Sequence, residues 1–269
     1  MQRINFTKMC ASGNDFVVIE LSGSRALGLK KLAREICDRK FGAGADGLLA
    51  LGKSKIADVK MRIFNSDGSE AQMCGNGSRC AALYLGKKKA RIETRAGIIE
   101  SEVNADSVKI KLTDPKGMKL DVPVKINNKP LRVNFINTGV PHTVIFVEGV
   151  DKIDVADLGR QVRYHKIFAP AGTNVNFVEV LSGDTIKVRT YERGVEDETF
   201  ACGTGATASS LITSRKLAAS VLNTGYGKIN VRTRGGETLK VYFKKGRDKF
   251  TDTWLEGRAR IVYKGVYYV

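Results

Sequence analysis

The chain has 269 residues, 42% of them hydrophobic, which is enough for one large domain or two of ordinary size. Its 45 Lys and Arg against 28 Asp and Glu give a formal charge of +17, yet the basic residues are spread along the whole length, as in Lys30-Lys31, Lys87-Lys88-Lys89 and Lys244-Lys245, without a basic tail or a nucleic-acid-binding motif. No stretch approaches the roughly 18 to 20 apolar residues of a membrane span, Met1 to Lys8 lacks the apolar core of a secretion signal, and five cysteines without CxxC spacing make neither a disulfide framework nor a structural zinc site.

These exclusions leave an unexported, cytoplasmic protein with free thiols, no nucleic-acid or membrane partner, and a positive field suited to gathering an anionic substrate. In chain order, Asn14 to Glu20 reads as a strand and Leu27 to Cys37 as an amphipathic helix, with Leu29, Leu32, Ala33 and Ile36 at i, i+3, i+4, i+7. A glycine-rich link, Phe41 to Gly47, leads into an apolar run from Leu48 to Leu51. Val59 to Phe64 alternates as a strand, Asn65-Ser66-Asp67-Gly68-Ser69-Glu70 is turn chemistry, and a helix follows Cys74 to about Leu85, with Gly86 as C-cap and Lys87 to Lys89 at its negative end. Strands at Arg91 to Thr94, Ile98 to Val103 and Val108 to Leu112 complete the first half.

The second half repeats this order. Thr143 to Val147 is a strand, Asp154 to Tyr164 a helix capped by Asp154 with Val155, Leu158 and Val162 on one face, and Asn174 to Leu181 and Ile186 to Tyr191 are strands. A helix follows Cys202, then strands at Ile229 to Thr233, Leu239 to Phe243 and Phe250 to Leu255. The spacing from Cys74 to Cys202 equals that from Asn14 to His142, Val59 to Phe64 matches Ile186 to Tyr191, and Ile92 to Gly97 matches Val231 to Gly236. The chain therefore reads as a duplicated α/β (α+β) unit, with residues 1–117 as one half and 118–258 as the other, divided in the proline-bearing stretch Asp114 to Pro130. A last strand, residues 259–269, has no counterpart and is expected to cross back to the first half. Each half is expected to be a mixed β-sheet or barrel wrapped around a central helix, the two related by a pseudo-twofold axis.

Met73-Cys74-Gly75-Asn76-Gly77-Ser78 and Ala201-Cys202-Gly203-Thr204-Gly205-Ala206 are the heart of the repeat. Each places a cysteine at a helix start, where unpaired backbone N–H groups and the dipole favour an anion, and where glycines let a ligand approach the backbone. A thiolate on one side of a tetrahedral carbon and a thiol on the other can remove and deliver a proton on opposite faces, which is stereoinversion. The N–H groups would stabilise the charge of a carbanion next to a carboxylate, and no cofactor is required.

Over essentially its full length the chain resembles diaminopimelate epimerases. The likeness rests on Gly13-Asn14-Asp15-Phe16, Asn65-Ser66-Asp67-Gly68-Ser69 leading to Cys74-Gly75-Asn76-Gly77, Gly139-Val140-Pro141-His142, Thr173-Asn174-Val175-Asn176-Phe177, and Glu192-Arg193-Gly194 leading to Ala201-Cys202-Gly203-Thr204-Gly205. The resemblance implies the diaminopimelate epimerase-like fold and a two-base, pyridoxal-phosphate-independent interconversion of LL- and meso-2,6-diaminopimelate, on the way to lysine and peptidoglycan, in a homodimer. It implies Cys74 and Cys202 as the acid/base pair and Gly75, Asn76, Gly203 and Thr204 as the hold on the reacting carboxylate. Asn14, Asn65, Asn174, Glu192 and Arg193 would bind the other polar groups, and His142 and Glu192 would tune the thiols. Two positions depart from the pattern: Val140 stands where many members have a substrate-binding Asn, and Gly47 where some have Gln.

Cys10, Cys37 and Cys80 lack the glycine setting and read as packing residues, His165 as an exposed side chain, and Asp46 and Asp67 as turn-stabilising. A Cys-His hydrolase built on His142 leaves the second matched cysteine unexplained. A proline racemase of the same fold is disfavoured by Asn76 and the Glu192-Arg193 pair, a thiol redox enzyme by the lack of CxxC, and a nucleic-acid-binding protein by the scattered charge.

Overall fold

The computed structural model describes residues 3–21, 28–217 and 225–269. Leu27, assigned above to the first helix, and Met1-Gln2 of the start lie outside the described residues. The chain forms two compact units, Met1–Ile110 with Glu256–Val269, and Lys111–Leu255.

The first unit contains β1 (Arg3–Ala11), β2 (Asn14–Glu20), α1 (Leu29–Cys37), β3 (Gly47–Gly52), β4 (Val59–Asn65), the short β5 (Glu70–Ala71), α2 (Gly75–Leu85), β6 (Lys89–Thr94), β7 (Gly97–Asn104) and β8 (Ser107–Lys111). The predicted i, i+3, i+4, i+7 stripe of α1 is buried against Val17, Ile19, Leu48, Ala50 and Phe64, and each fully buried aliphatic side chain there contributes roughly 1.5–3 kcal/mol. Helix α2 has no polar face. Asn76 through Ala82 are buried without a break, and strands β1, β2, β3, β6 and β7 surround it. Small side chains make this enclosure feasible: a Cβ on Gly77 would stand 3.1 Å from Leu49 Cδ2. Gly86 closes the helix in the left-handed region with φ 66°, as expected, whereas Lys87 gives its ammonium to Asp58 at 2.6 Å.

The second unit contains β9 (Lys116–Ile126), β10 (Lys129–Asn137), β11 (Pro141–Phe146), α3 (Val155–Arg163), β12 (Asn174–Ser182), β13 (Thr185–Glu192), β14 (Asp197–Thr199), α4 (Gly203–Leu217), β15 (Tyr226–Thr233) and β16 (Thr238–Lys245). Two further strands follow, β17 (Phe250–Arg258), through which the boundary between the units runs, and β18 (Arg260–Tyr268). Ten consecutive residues of α4, Gly205 to Ser214, are buried among β10, β11, β12, β13, β15 and β16. Asp154 caps α3 by accepting from the Asp157 N–H at 3.0 Å.

The strand pairings follow one order in both units. β1–β2 and β10–β11 are antiparallel, β2–β3 and β11–β12 parallel, β3–β4 and β12–β13 antiparallel, β4–β6 and β13–β15 parallel, and β6–β7 and β15–β16 antiparallel. The last strand β18 lies antiparallel to β1, with Arg3 opposite Tyr268. Most of the proline-bearing stretch is regular structure: β9 and β10 form a long hairpin with exposed Pro123 and Pro130 within it. Its apolar side chains Val124, Ile126 and Val133 join the core of the second unit with Val155, Val162, Val175 and Phe177. This is why the structural division falls at Lys111.

Candidate active site

Each cysteine occupies the same place at the start of a central helix. The Cys74 carbonyl accepts from the Ser78 N–H at 2.8 Å and the Cys202 carbonyl from the Ala206 N–H at 2.8 Å. Cys74 is the N-cap of α2, with extended backbone (φ −142°, ψ 121°), and its Sγ accepts from the Gly77 N–H at 3.5 Å. The Cys202 sulfur receives the N–H groups of Thr204 and Gly205 and lies 3.5 Å from Thr204 Oγ1. Space at these glycines is tight. A Cβ on Gly205 would meet Asn176 Oδ1 at 2.3 Å, and one on Gly203 would meet Leu255 Cδ2 at 2.8 Å.

In the first unit Cys74 and Gly75 are half-buried and Asn76 is buried. The Asn76 amide is fixed at both ends: its Nδ2 donates to Asn14 Oδ1 at 2.6 Å, and its Oδ1 accepts from Arg79 Nη2 at 2.6 Å. Arg79, fully buried on α2, also donates to Ser12 Oγ at 2.7 Å and to the Arg258 carbonyl at 3.3 Å. Asn14 Nδ2 in turn donates to Asp46 Oδ2 at 3.1 Å, and Asp46 accepts from Arg39 at 2.8 Å. Beside them burial opposes ionisation of Asp15, but hydrogen bonds from Arg39 and Lys8 prevail and hold its pKa at about 2. Asp46 is thus more than a turn residue, whereas Asp67 does serve its turn by accepting from the Ser69 N–H. Exposed Asn65 donates to Ser69 Oγ at 2.9 Å and is not joined to the Asn14–Asn76 pair by any of these contacts.

In the second unit Cys202 is buried, and burial together with the charge of Glu192 pushes its thiol up to about 12. Glu192 hydrogen-bonds Cys202 and accepts from Thr199 Oγ1 at 3.0 Å, and burial raises its own pKa. Cys202 is therefore a thiol at neutral pH. Asn174 bridges two segments, donating to the Pro141 carbonyl at 2.9 Å and accepting from the Arg193 N–H at 2.8 Å. Arg193 donates to the Ala171 carbonyl at 3.1 Å, and Thr204 offers its carbonyl to Thr138 Oγ1 at 3.1 Å. Val140 is half-buried and its carbonyl accepts from the Thr138 N–H.

His142 is fully buried, and burial and then the positive charge of Arg193 bring its pKa down to about 3, so the imidazole is neutral. Asn176 Nδ2 faces its Nδ1 at 3.1 Å and also donates to the Thr143 carbonyl, while Asn176 Oδ1 accepts from Thr190 Oγ1. This orientation makes Nδ1 an acceptor and leaves the proton on Nε2, which is buried without a partner among the described residues. Asn176 connects His142 to the start of α4, because its Oδ1 fills the space that a Cβ on Gly205 would need.

Arg79, Asn176 and Thr199 are further site residues to which the sequence assigned no role. Asn176 lies in the Thr173–Phe177 motif, and Arg79 is a lone charge inside a helix of small residues. His165, expected to be exposed, is half-buried and its Nδ1 caps the short turn Lys166–Phe168 by accepting from the Ile167 N–H. Cys37 and Cys80 are buried, with thiols raised by burial. Cys10 is only half-buried, and Arg260 Nε contacts its sulfur at 2.9 Å.

The fold recurs in a phenazine biosynthesis protein of the PhzF family from Bacillus anthracis, with a TM-score of 0.76 and 18% identity over 100% of both chains. It recurs also in a hydroxyproline epimerase from Agrobacterium vitis, with a TM-score of 0.71 and 16% identity over 98% of this chain and 92% of that one. At such identities the likeness is one of fold alone. The sequence goes further. The profile of the diaminopimelate epimerase family matches residues 6–117 and 134–262. Diaminopimelate epimerases of Aquifex aeolicus (97% of each chain) and Archaeoglobus fulgidus (98% of this chain, 96% of that one) are each 42% identical. The chain belongs to the diaminopimelate epimerase family and is an isomerase.

Proposed function

We propose that the protein interconverts LL- and meso-2,6-diaminopimelate by two-base chemistry with Cys74 and Cys202, without a cofactor, in the supply of lysine and peptidoglycan precursors. The observation that carries this reading is the matched pair of Cys-Gly-x-Gly helix starts, each with backbone N–H groups aimed at a sulfur. The mechanism requires both thiols to reach one substrate carbon. A thiolate takes the α-proton, the electron pair spreads into the adjoining carboxylate, and the other thiol returns a proton on the opposite face. The two sulfurs leave the turnover with their protonation states exchanged. Because Cys202 rests as a thiol, it is the proton donor of the first half-turnover, and Cys74 is the base.

The N–H groups of Gly75, Asn76, Gly203 and Thr204 hold the reacting carboxylate and the charge that develops on it. Asn14, Asn65, Asn174, Glu192 and Arg193 take the remaining charged ends of the substrate, with the Arg193 fork suited to a carboxylate. Glu192 keeps the proton on Cys202, and His142 contributes as a neutral Nε2–H donor rather than as a cation. Each half, residues 1–117 with the returning strand and 118–258, supplies one thiol. Val140 removes a polar contact to the substrate's far end. Gly47 fits this chain's own packing, since a Cβ there would meet the Phe64 carbonyl at 2.8 Å. No helix among the described residues is long and apolar enough to cross a membrane, in keeping with a cytoplasmic site of action. A homodimer is favoured by the apolar side chains that β18 exposes, among them Ile261, Val262, Tyr263 and Tyr268.

Proton NMR with LL-diaminopimelate in D2O, without pyridoxal phosphate, tests the proposal. Meso product carrying deuterium at the inverted carbon is expected, and Cys74→Ala and Cys202→Ala should each lower turnover by about 10²–10⁴-fold or more. Absence of both exchange and inversion under reducing conditions would reject diaminopimelate as substrate.

A further inference from the structure

The two units repeat a charged cluster on the sheet face turned away from the central helix, and it differs at one position. In the first unit Arg62 on β4 grips Glu70 with hydrogen bonds of 2.8 and 2.9 Å, Arg95 reaches the same carboxylate at 3.5 Å, and Lys60 pairs with Glu93 on β6 at 2.8 Å. In the second unit Arg189 on β13 grips Glu198 with two hydrogen bonds of 2.7 Å and Arg234 reaches it at 3.2 Å. The place of Glu93, however, is taken by Arg232 on β15. The ladders agree in register: Lys60 lies opposite Glu93, and Lys187 opposite Arg232.

An attractive cross-strand pair in one unit is thus a repulsive one in the other. Lys187 turns to Asp151, while the side chain of Arg232 is exposed and has no hydrogen-bond or ion-pair partner among the described residues. Lys187, Arg189, Arg232 and Arg234 line a cavity of about 680 Å³, together with Asp151 and with Thr238, which stands opposite Arg232 on β16. Four cations against the two carboxylates of Asp151 and Glu198 leave two positive charges in excess. Alternation along β13 and β15 puts Lys187, Arg189 and Arg232 on one face, with Arg234 in the turn that follows β15, while Ile186, Val188 and Val231 are buried in the core.

We propose that this cleft binds the dianionic phosphate group of a small phosphorylated molecule. A tetrahedral dianion matches the excess charge, and its oxygens can take the Arg232 fork, the Lys187 ammonium and the Thr238 hydroxyl together, which one planar carboxylate does not match in charge. The volume falls within the roughly 300–1,000 Å³ of small-molecule sites. Neither cysteine lines it, and the proposal stands whether or not diaminopimelate is the substrate.

Calorimetric titration of the full chain with inorganic phosphate, at fixed ionic strength in chloride, tests this. Saturable binding is expected, weakened at least tenfold by Arg232→Glu, which rebuilds the pairing seen at Lys60, and less by Arg232→Gln, with isomerase turnover unchanged in both. Phosphate affinity that is the same in Arg232→Glu, or no saturable heat beyond a chloride control, would overturn the proposal. So would retention of a single-stranded oligonucleotide without phosphate binding, or malonate bound as tightly as phosphate.

Discussion

At Cys202 two effects act in one direction: removal from water and the neighbouring Glu192 charge both favour the protonated thiol, against the backbone N–H groups that favour the thiolate. Removing the charge should therefore lower the pKa. Glu192→Gln is expected to speed alkylation of Cys202 by iodoacetamide at pH 8, by about tenfold for each unit of pKa lost, as followed by mass spectrometry of the labelled peptide. Arg79 acts at a distance from the chemistry, through Asn76. Arg79→Lys keeps the charge but loses the fork, and a charge-assisted hydrogen bond of about 1.5–3 kcal/mol is at stake. It is expected to raise KM and lower kcat/KM about ten- to hundredfold, and recovery of the wild-type KM in an unfolding-corrected assay would show that Arg79 serves stability alone.

His142 links the same residue scale to stability. Its folded pKa, about 3, lies below the ordinary 6.5, so between those values the unfolded chain binds a proton that the folded chain refuses. Stability is complete above about 6.5 and falls as pH drops toward 3, by up to about 1.4 kcal/mol per pH unit. Asp15, lowered to about 2, acts only below its ordinary 3.8, and Glu192, raised, acts in the opposite sense. Urea unfolding at pH 7 and pH 5 should show the loss, and His142→Gln should flatten it. An equal slope in the variant would assign the loss to other groups.

At the scale of elements, α2 and α4 are helices that succeed by being small. Burial on every side demands Gly, Ala, Ser and Thr where strands close in, and the glycine after each Cys-Gly-x sets the approach. Gly205→Ala forces a methyl group to within 2.3 Å of Asn176 Oδ1, so either the helix start shifts or Asn176 releases His142. Overpacking of this kind costs about 1–3 kcal/mol, and a lower thermal midpoint together with slower turnover is expected. The periodic stripes of α1 and α3 and the alternation of β4 and β13 were legible because each buries one face. The hairpin β9–β10 was not: its exposed prolines and lysines resemble a linker, and only the packing of Val124, Ile126 and Val133 into the core shows that it is structure.

For the whole molecule, the duplication is a matter of topology as well as motif, since the order of parallel and antiparallel pairings is shared by the two units. The first unit needs the end of the chain to cover β1, and that strand leaves Val262 51% exposed. If β18 forms the contact between two copies, Val262→Lys should shift the protein to the mass of a monomer in size-exclusion chromatography with light scattering. A monomeric wild-type chain would dispose of the homodimer.

Duplication, the two cysteine-bearing helix starts and most of their neighbours were written in the sequence, because spacing, periodicity and glycine placement are local properties. The protonation state of Cys202, the neutrality of His142, the hold of Arg79 on Asn76 and the unpaired Arg232 were decided only by the tertiary structure. They depend on burial and on partners brought from distant parts of the chain, and neither quantity is a function of neighbouring residues alone.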